Sequence, residues 1–387
     1  MNRRHLQLLL QLLSQPTAPF RESAVLDFAR KALTASDIPH FTDPAGNLVL
    51  GCENASGYHR LLRQNTSEPL RLYIAHTDHP GFHGLRWLSP THLLAQWHGG
   101  SPVKHLPGSR VWLSTDSGIT EGRIRSAKLL PSRHAIDQLE IQTPALPKQA
   151  ADKLYGGFCF RAPAWISGKR LYTQVADDLV GVFAILVTAR EHFGKKSCAP
   201  FLGLLTRAEE VGFIGALAHF ELGWASARRR PLIAVSLETS RALPGAHFGK
   251  GPVVRLGDRR TVFDPGSLQV LSRLAEEIMP GRHQRRVMDG GTCEATAAMA
   301  WGIPAIGISV PLGNYHNQGF EGGPGCRGKD GPAPEFVHLD DVDGLLRLCG
   351  GLLRPGLPWN TPWKDLHTRL RKNLNRYRPL LRKQRKS

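Results

Sequence analysis

Glu209 and Glu210 stand side by side where an apolar, strand-like run, Phe201 to Leu205, gives way to Val211-Gly212 and a second apolar segment. Adjacent carboxylates repel, and no Lys or Arg follows at once to offset them. In a metal hydrolase the pair has a use: one carboxylate binds a cation while its neighbour, pointing elsewhere, takes a proton from water. Alone, the pair fits a solvated helix start better, because acids are favoured there. Four further positions tip the balance. His76, Asp177 and Glu238 each follow an apolar strand-like run within a few residues, and His316 follows one across Pro311-Leu-Gly-Asn-Tyr. Open α/β sheets build their sites outside the carboxyl ends of the strands. Five separate strands would therefore bring two imidazoles and four carboxylates to one sheet edge, the donor set of a two-metal hydrolytic site.

The local spacing assigns supporting parts. His76 and Asp78 lie two apart and face the same side of an extended chain, so Asp78 can hold the imidazole from behind. In Asp177-Asp178 the first carboxylate can bridge two cations while the second supports or caps the helix starting at Leu179. Against two divalent ions, Asp177, Glu210 and Glu238 leave one positive charge for a bridging anion.

The sequence resembles the tetrahedral aminopeptidase family, the glutamyl and deblocking aminopeptidase-like members of the co-catalytic zinc metallopeptidases. HTDHPG, ADDLVG, AEEVGFIGA, SLET, GGT and VPLGNYHN follow one another in that family's order over about residues 5–355. The gap between His76 and Asp177 is filled by a β-rich insert, as in that family. The resemblance implies a mixed-sheet, phosphorylase/hydrolase-like fold and a homo-oligomer, often a dodecamer, built through the insert. It implies that Asp177 bridges two metals, with His76 and Glu238 completing one site and Glu210 and His316 the other. Glu209 would be the general base, and the Asp177-Asp178 peptide would be cis; Asp78 joins Glu209 among the catalytic candidates through its spacing to His76. Four departures stand out. The family's usual Asp is Glu238 here, an acid after GGT is replaced by Cys293 followed by Glu294, an Arg after the paired aspartates is Leu179, and GNYHN lacks the usual basic residue. The last three fall on substrate-side positions and bear on specificity more than on metal binding.

The elements that must position these residues read as an α/β body with a small β-barrel-like insert. Residues 5–14 and Ser23 to Ala35 read as helices, Asp43 to Asn47 as a turn, Leu48 to Leu50 and Leu70 to Ala75 as strands. From Gly81 to Lys169, short apolar pieces are punctuated by Gly, Pro and Ser at short intervals, the pattern of a small all-β unit. The α/β alternation then resumes: strand Arg170 to Ala176, helix Leu179 to Phe193, strand 201–205, helix Phe213 to Leu222 and strand 232–237. Helices at 268–279 and Thr292 to Ala300, strand Ile303 to Val310 and helix Val342 to Leu353 complete it. The expected division is a catalytic domain of residues 1–80 and 170–355, an inserted domain of residues 81–169, and a basic tail of residues 356–387. The insert would serve oligomerisation or substrate access.

Other candidates are weaker. His79 and His83 flank the turn into the insert and read as exposed loop histidines. Cys293 has no basic partner at a telling spacing and reads as a small residue in a Gly-rich turn, which opens a helix. Tyr315 and Asn317, beside His316, fit substrate contact and packing equally.

At 387 residues, 41% hydrophobic and 21% charged, the chain is long enough to bury a full core and is not of disordered composition. No run of about 18 uncharged apolar residues appears, so neither a membrane span nor a membrane partner is expected. The opening MNRRHLQLLLQLLSQ is broken by Gln7 and Gln11 and reads as an amphipathic helix rather than a signal peptide. Six scattered cysteines without CxxC spacing fit a reducing cytoplasm. Much of the +18 net charge sits at the C-terminus, where Arg369, Arg371, Lys372, Arg376, Arg378, Arg382, Lys383, Arg385 and Lys386 crowd together. Such a tail attracts phosphate regardless of sequence, but no nucleic-acid module is recognisable, so any such partner would use the tail alone. It reads as a solvated helix with a frayed end.

The expected function is a cytoplasmic two-metal aminopeptidase acting on peptides or other small amides, with zinc, cobalt or manganese all suited to the donors. The alternatives are a deacylase or other amide hydrolase, and a degenerate member that binds nucleic acid or a partner through its basic surface.

Overall fold

Leu70–His76, Phe201–Thr206 and Ala305–Gly313 are buried along their whole length, as largely apolar runs require of strands covered on both faces. In the computed structural model, which describes residues 1–145 and 149–383, they join Leu232–Arg241 in the middle of an eleven-stranded sheet. Arg385 and Lys386 of the basic tail lie outside the described residues. Phe201–Thr206 and Leu232–Arg241 both run parallel to Leu70–His76, and Ala305–Gly313 runs parallel to Leu232–Arg241. Their carboxyl ends therefore open on one edge. The flanks are antiparallel. Leu48–Leu50 pairs with Phe201–Thr206, and Glu335–His338 pairs with the end of Ala305–Gly313 and with Arg170–Thr173. The sheet is mixed.

The helix Leu179–His192 reads LVGVFAILVTA over its first eleven residues, and all of those are buried. A helix apolar on every side must be covered on every side. It packs on the Leu70–His76 strand, with Leu339–Leu352 beside it. The Asp178 carboxylate accepts the Gly181 N–H at 3.1 Å and caps its first turn.

Between Gly81 and Phe158 the chain closes a six-stranded barrel. Gly81–Ser89 is followed in space by His92–His98, Ile136–Gln142, Gly118–Leu129, Arg110–Thr115 and Tyr155–Phe158. Burial alternates along His92–His98, the pattern of a strand with one face inward. The inward side chains, including Phe82, Leu93, Trp97, Leu113, Ile141 and Phe158, form a core of their own, separate from that of the α/β body. The barrel is reached from His76 in four residues and leaves through the hairpin Ala164–Ser167/Arg170–Thr173.

Most element ends differ by one to three residues from the sequence reading, and two differ for a visible reason. The strand expected to stop before Glu238 runs on to Arg241, because pairing with Ala305–Gly313 continues to Arg241 opposite Leu312. The strand expected to reach Ala176 stops at Thr173, because the Glu335 carboxylate takes the N–H groups of Ala176 and Asp177. The helix Ala55–Arg63 and the strands Val253–Asp258, Gln284–Met288 and Glu335–His338 have no counterpart in the sequence reading. The helix is short, and Gln284–Met288 and Glu335–His338 are short and rich in charge, so periodicity is weak there.

The barrel closes at Gly156, where an added Cβ would lie 1.9 Å from the Trp112 carbonyl oxygen and 2.7 Å from the Phe82 ring. Gly156→Val is expected to destabilise the protein by roughly 1–3 kcal/mol, read as a lowered denaturant midpoint.

Candidate active site

His76 is the last residue of its strand, so its side chain emerges at the open edge. Its Nδ1 faces back toward Asp78, 3.2 Å from the carbonyl oxygen and 3.6 Å from the carboxylate. Its Nε2 faces forward, 3.5 Å from Asp177 Oδ1 and 3.8 Å from Glu209 Oε2. Asp78 does a second job: its buried carboxylate accepts the N–H groups of Glu209 at 2.9 Å and Glu210 at 3.1 Å. The turn that carries the glutamate pair is thus pinned to the loop that carries His76. Glu22 pins the turn from the other side by accepting the Ala208 N–H at 3.1 Å and the Arg207 guanidinium at 2.8 Å.

Asp177 follows the short strand Arg170–Thr173 and joins Asp178 through a cis peptide. Thr239 Oγ1 donates to Asp177 Oδ1 at 3.1 Å. That oxygen faces His76, while Oδ2 lies 3.9 Å from His316 Nε2. One carboxylate thus presents its two oxygens to two different imidazoles. Glu238 enters from Leu232–Arg241, its Oε1 accepting from Ser236 Oγ at 3.2 Å. His316 sits in a left-handed turn (φ 55°) that is costly for a residue with a side chain. Glu335 holds it there: one carboxylate oxygen accepts the His316 N–H at 2.9 Å, the other the N–H groups of Ala176 and Asp177. His316 Nε2 then lies 3.0 Å from Glu210 Oε2, with the Tyr315 ring stacked on the imidazole at 3.7 Å.

Donor atoms fall into three overlapping sets, each with all atoms within 4.8 Å of one another: His76, Asp177 and Glu238; Asp177, Glu210 and His316; and His76, Glu209 and Glu210. Asp177 is common to the first two. All seven residues singled out in the sequence meet here: His76, Asp78, Asp177, Glu209, Glu210, Glu238 and His316. The extra methylene of Glu238 does not keep its carboxylate from the set.

The electrostatics mark a place with more carboxylates than its own cations, Arg255 and His76, offset. Burial, reinforced by neighbouring carboxylates, pushes Glu209 and Glu210 well above the usual carboxylate range, and Glu238 up to about 7. Burial works against a charged His76, but Glu209, Asp177 and Asp78 outweigh it and raise its pKa. Glu210 Oε1 and His316 Nε2 are buried without a hydrogen-bond partner. Two divalent cations fit both facts, since they supply the missing charge and the missing partners.

Several residues depart from expectation. His79 is buried, not exposed: its ring lies 2.9 Å from the Asp177 carbonyl oxygen and 3.3 Å from Asn317 Oδ1. The turn it precedes folds under the site instead of into solvent. His83 is half-buried against His98, 2.8 Å from the Pro19 carbonyl oxygen. Cys293 starts the helix Glu294–Ala300 with its thiol toward Asp258, and Leu179 is wholly in the core. Glu335, Glu22, Thr239 and Arg255 belong to the site and were not foreseen. Only Arg255 had a local signal, a cation inside an apolar run. It is buried at the base of the site, 4.0 Å from Glu238, with its Nε unpartnered.

In front of the donors lies a cavity of about 260 Å³. Arg241, Arg255, Thr292 and Phe320 line it from the body, and Ser101 and His134 from the barrel segment. The barrel segment reaches the donors at Gly99-Gly100. A Cβ on Gly100 would lie 1.9 Å from His316 Nδ1, and one on Gly99 would lie 3.3 Å from Glu210 Cβ.

A family model for M42 glutamyl aminopeptidases matches residues 61–319. Among solved structures, the TET1 peptidase of Pyrococcus horikoshii, which assembles into a tetrahedron or a large octahedral shell, aligns with TM-score 0.70 and 19% identity. That match covers 91% of this chain and 99% of the other. An aminopeptidase from the archaeon Desulfurococcus kamchatkensis aligns with TM-score 0.71 and 21% identity over 92% and 96%. An M18-family aminopeptidase from Thermotoga maritima aligns with TM-score 0.59 and 13% identity over 89% and 94%. At these identities the likeness to the three structures is one of fold: a mixed α/β body with a mixed sheet.

Gly100→Ala should displace His316 while leaving the fold intact. The expected result is roughly 10–100-fold weaker affinity for one of two metal ions, read by metal titration with an unchanged circular dichroism spectrum. Metal binding near pH 6 should release protons, because Glu209, Glu210 and Glu238 hold them there. Release should shrink as pH rises past about 7, where Glu238 is already ionised. Calorimetry in buffers of different ionisation enthalpy checks the sign.

Proposed function

The chain belongs to the M42 glutamyl aminopeptidase family, a metal-dependent aminopeptidase by that membership, and on that premise we propose how its residues divide the work. The observation that carries the reading is Asp177, whose two oxygens face His76 and His316. Asp177 would span two cations, with His76 and Glu238 completing one site and Glu210 and His316 the other. Zinc suits this donor set, as do cobalt and manganese. Such a pair, when bound, polarises a carbonyl and makes water acidic enough to attack it near neutral pH.

Glu209 is the general base in this reading. It is not needed to complete either three-donor set around Asp177, yet its carboxylate lies 3.8 Å from His76 Nε2. Its raised pKa suits a group that takes a proton from the attacking water and gives it to the leaving amine. Asp78 acts through others: it backs His76 and fixes the main chain of Glu209 and Glu210. The cavity is the size of a side chain with a short stretch of main chain, which favours small peptides. Arg241 and Arg255 on its wall supply the positive charge that GNYHN lacks, and so favour a substrate bearing a carboxylate. A free α-amine would lie against the carboxylates.

The barrel, spanning residues 81–169 with its flanks, would serve assembly and access. The shells formed by the Pyrococcus peptidase support a homo-oligomer. Six free cysteines, three of them buried, support a reducing, cytoplasmic setting.

Glu209→Gln is expected to lower kcat by at least about a hundredfold while both metal ions stay bound. Near-normal turnover in that variant would sink the assignment. With wild-type protein, cleavage of unblocked peptides and not of N-acetylated ones is expected. The reverse preference would move the enzyme to the deacylase reading.

A further inference from the structure

The C-terminal helix Lys364–Lys383 is twenty residues long and leaves the body after one turn. Arg273 pairs with Asp365, and Leu366 is partly covered; from His367 to Leu381 every residue is exposed. The exposed residues are not uniformly polar. Leu366, Leu370, Leu374, Tyr377 and Leu381 follow at spacings of three and four, a single stripe of a 3.6-residue helix. Leu370 is 56% exposed, Tyr377 51% and Leu381 67%, and Trp363, 44% exposed, sits at the head of the same stripe. Arg371 and Arg378 border the stripe on one side, Arg369 and Arg376 on the other, and Asp365 is the helix's one acid.

A solvated helix has no use for such a stripe, and an isolated helix of this length is marginal in water unless an apolar face is covered. Lys372 and Arg376, four apart, add repulsion. The cover must therefore be apolar in the middle and anionic at both margins. A second copy of the helix would bring basic margins together. Nucleic acid would neutralise the margins and leave the leucines wet. An anionic lipid surface meets both demands, with the leucines at the acyl boundary and the arginines at the headgroups.

We propose that Lys364–Lys383 docks this protein in the plane of an anionic lipid bilayer. No helix among the described residues is long and apolar enough to cross a membrane, so the contact is with the surface. The absence of a spanning stretch, which led to no membrane partner being expected from sequence, does not bear on it. Pro379, half a turn away from the stripe, leaves the freed carbonyl of Asn375 on the side facing water. The helix lies outside residues 61–319, which the family model matches, so the proposal is independent of the hydrolytic reading.

The test is co-sedimentation of the full chain with phosphatidylglycerol or phosphatidylcholine vesicles. Binding to the first is expected to exceed binding to the second by at least about tenfold and to weaken with salt. The double variant Leu370→Gln/Leu374→Gln keeps every charge, touches nothing buried and should retain peptidase activity. It is expected to lose the vesicles. Equal binding to both lipids, no binding to either, or unchanged binding by the double variant would overturn the proposal. Tighter binding of an RNA duplex that leaves the double variant unaffected would also overturn it.

Discussion

Asp177, Glu209, Glu210, Glu238 and Asp78 crowd into a space from which water is largely excluded, and their mutual repulsion is what the surrounding structure must contain. Buried like charges are costly unless cations and hydrogen bonds offset them. The protein offsets part of the cost with main-chain N–H groups. Asp78 takes those of Glu209 and Glu210, and Glu335 takes those of Ala176, Asp177 and His316. Each brace joins segments far apart in sequence. The geometry of the donors is thus fixed by carboxylates that point away from the cavity, leaving the rest for metal ions.

The parallel strands explain why such a cluster can assemble at all. Thr206 lies opposite His76 in one pair and Glu238 opposite Ser309 in another, so the register sets the depth at which each side chain leaves the sheet. A one-residue slip would send these side chains to the opposite face. Covering both faces of the middle strands forbids that slip, because it would drag their apolar runs with it. The barrel then closes the front. It has a separate core, yet its Gly99-Gly100 corner touches Glu210 and His316 with no room for a side chain.

The parts of this arrangement legible in sequence are those in which chemistry and periodicity coincide. His76, Glu209 and Asp177 stand beside apolar runs, so their location on one edge follows from general rules of α/β sheets. Beyond Asp78 and the buried cation Arg255, the supporting layer was not legible. Glu335 lies nineteen residues beyond His316, across a loop rich in glycine and proline, and nothing local distinguishes it from a surface acid. Arg255 and Thr239 work through neighbours brought near by strand pairing. His79 was misjudged for the opposite reason: its loop composition suggests solvent, while the chain enters the barrel underneath Asp177 and buries it. Sequence pattern carries burial along an element and carries little about what a loop passes beneath.

Charge balance gives the departures at Cys293 and Glu294 a physical meaning. Behind the donors lie two more acids, Asp178 and Glu294, both fully buried. Ionised, they would add to the repulsion and weaken any cation's preference for the front of the site. Burial, with neighbouring acids reinforcing it, favours their neutral forms, as it does for Glu209, Glu210 and Glu238: Glu294 is pushed up to about 8 and Asp178 well above its usual range. Each also has one carboxyl oxygen without a partner, Asp178 Oδ2 and Glu294 Oε2, as Glu210 has in Oε1. Thr206 Oγ1 donates to the other oxygen of Glu294. Moving the acid one residue along from the position after GGT thus leaves a thiol beside Asp258 and a buried acid at Glu294. The two acids thus stand behind the donor set and outside it, while Arg241 and Arg255 line the cavity.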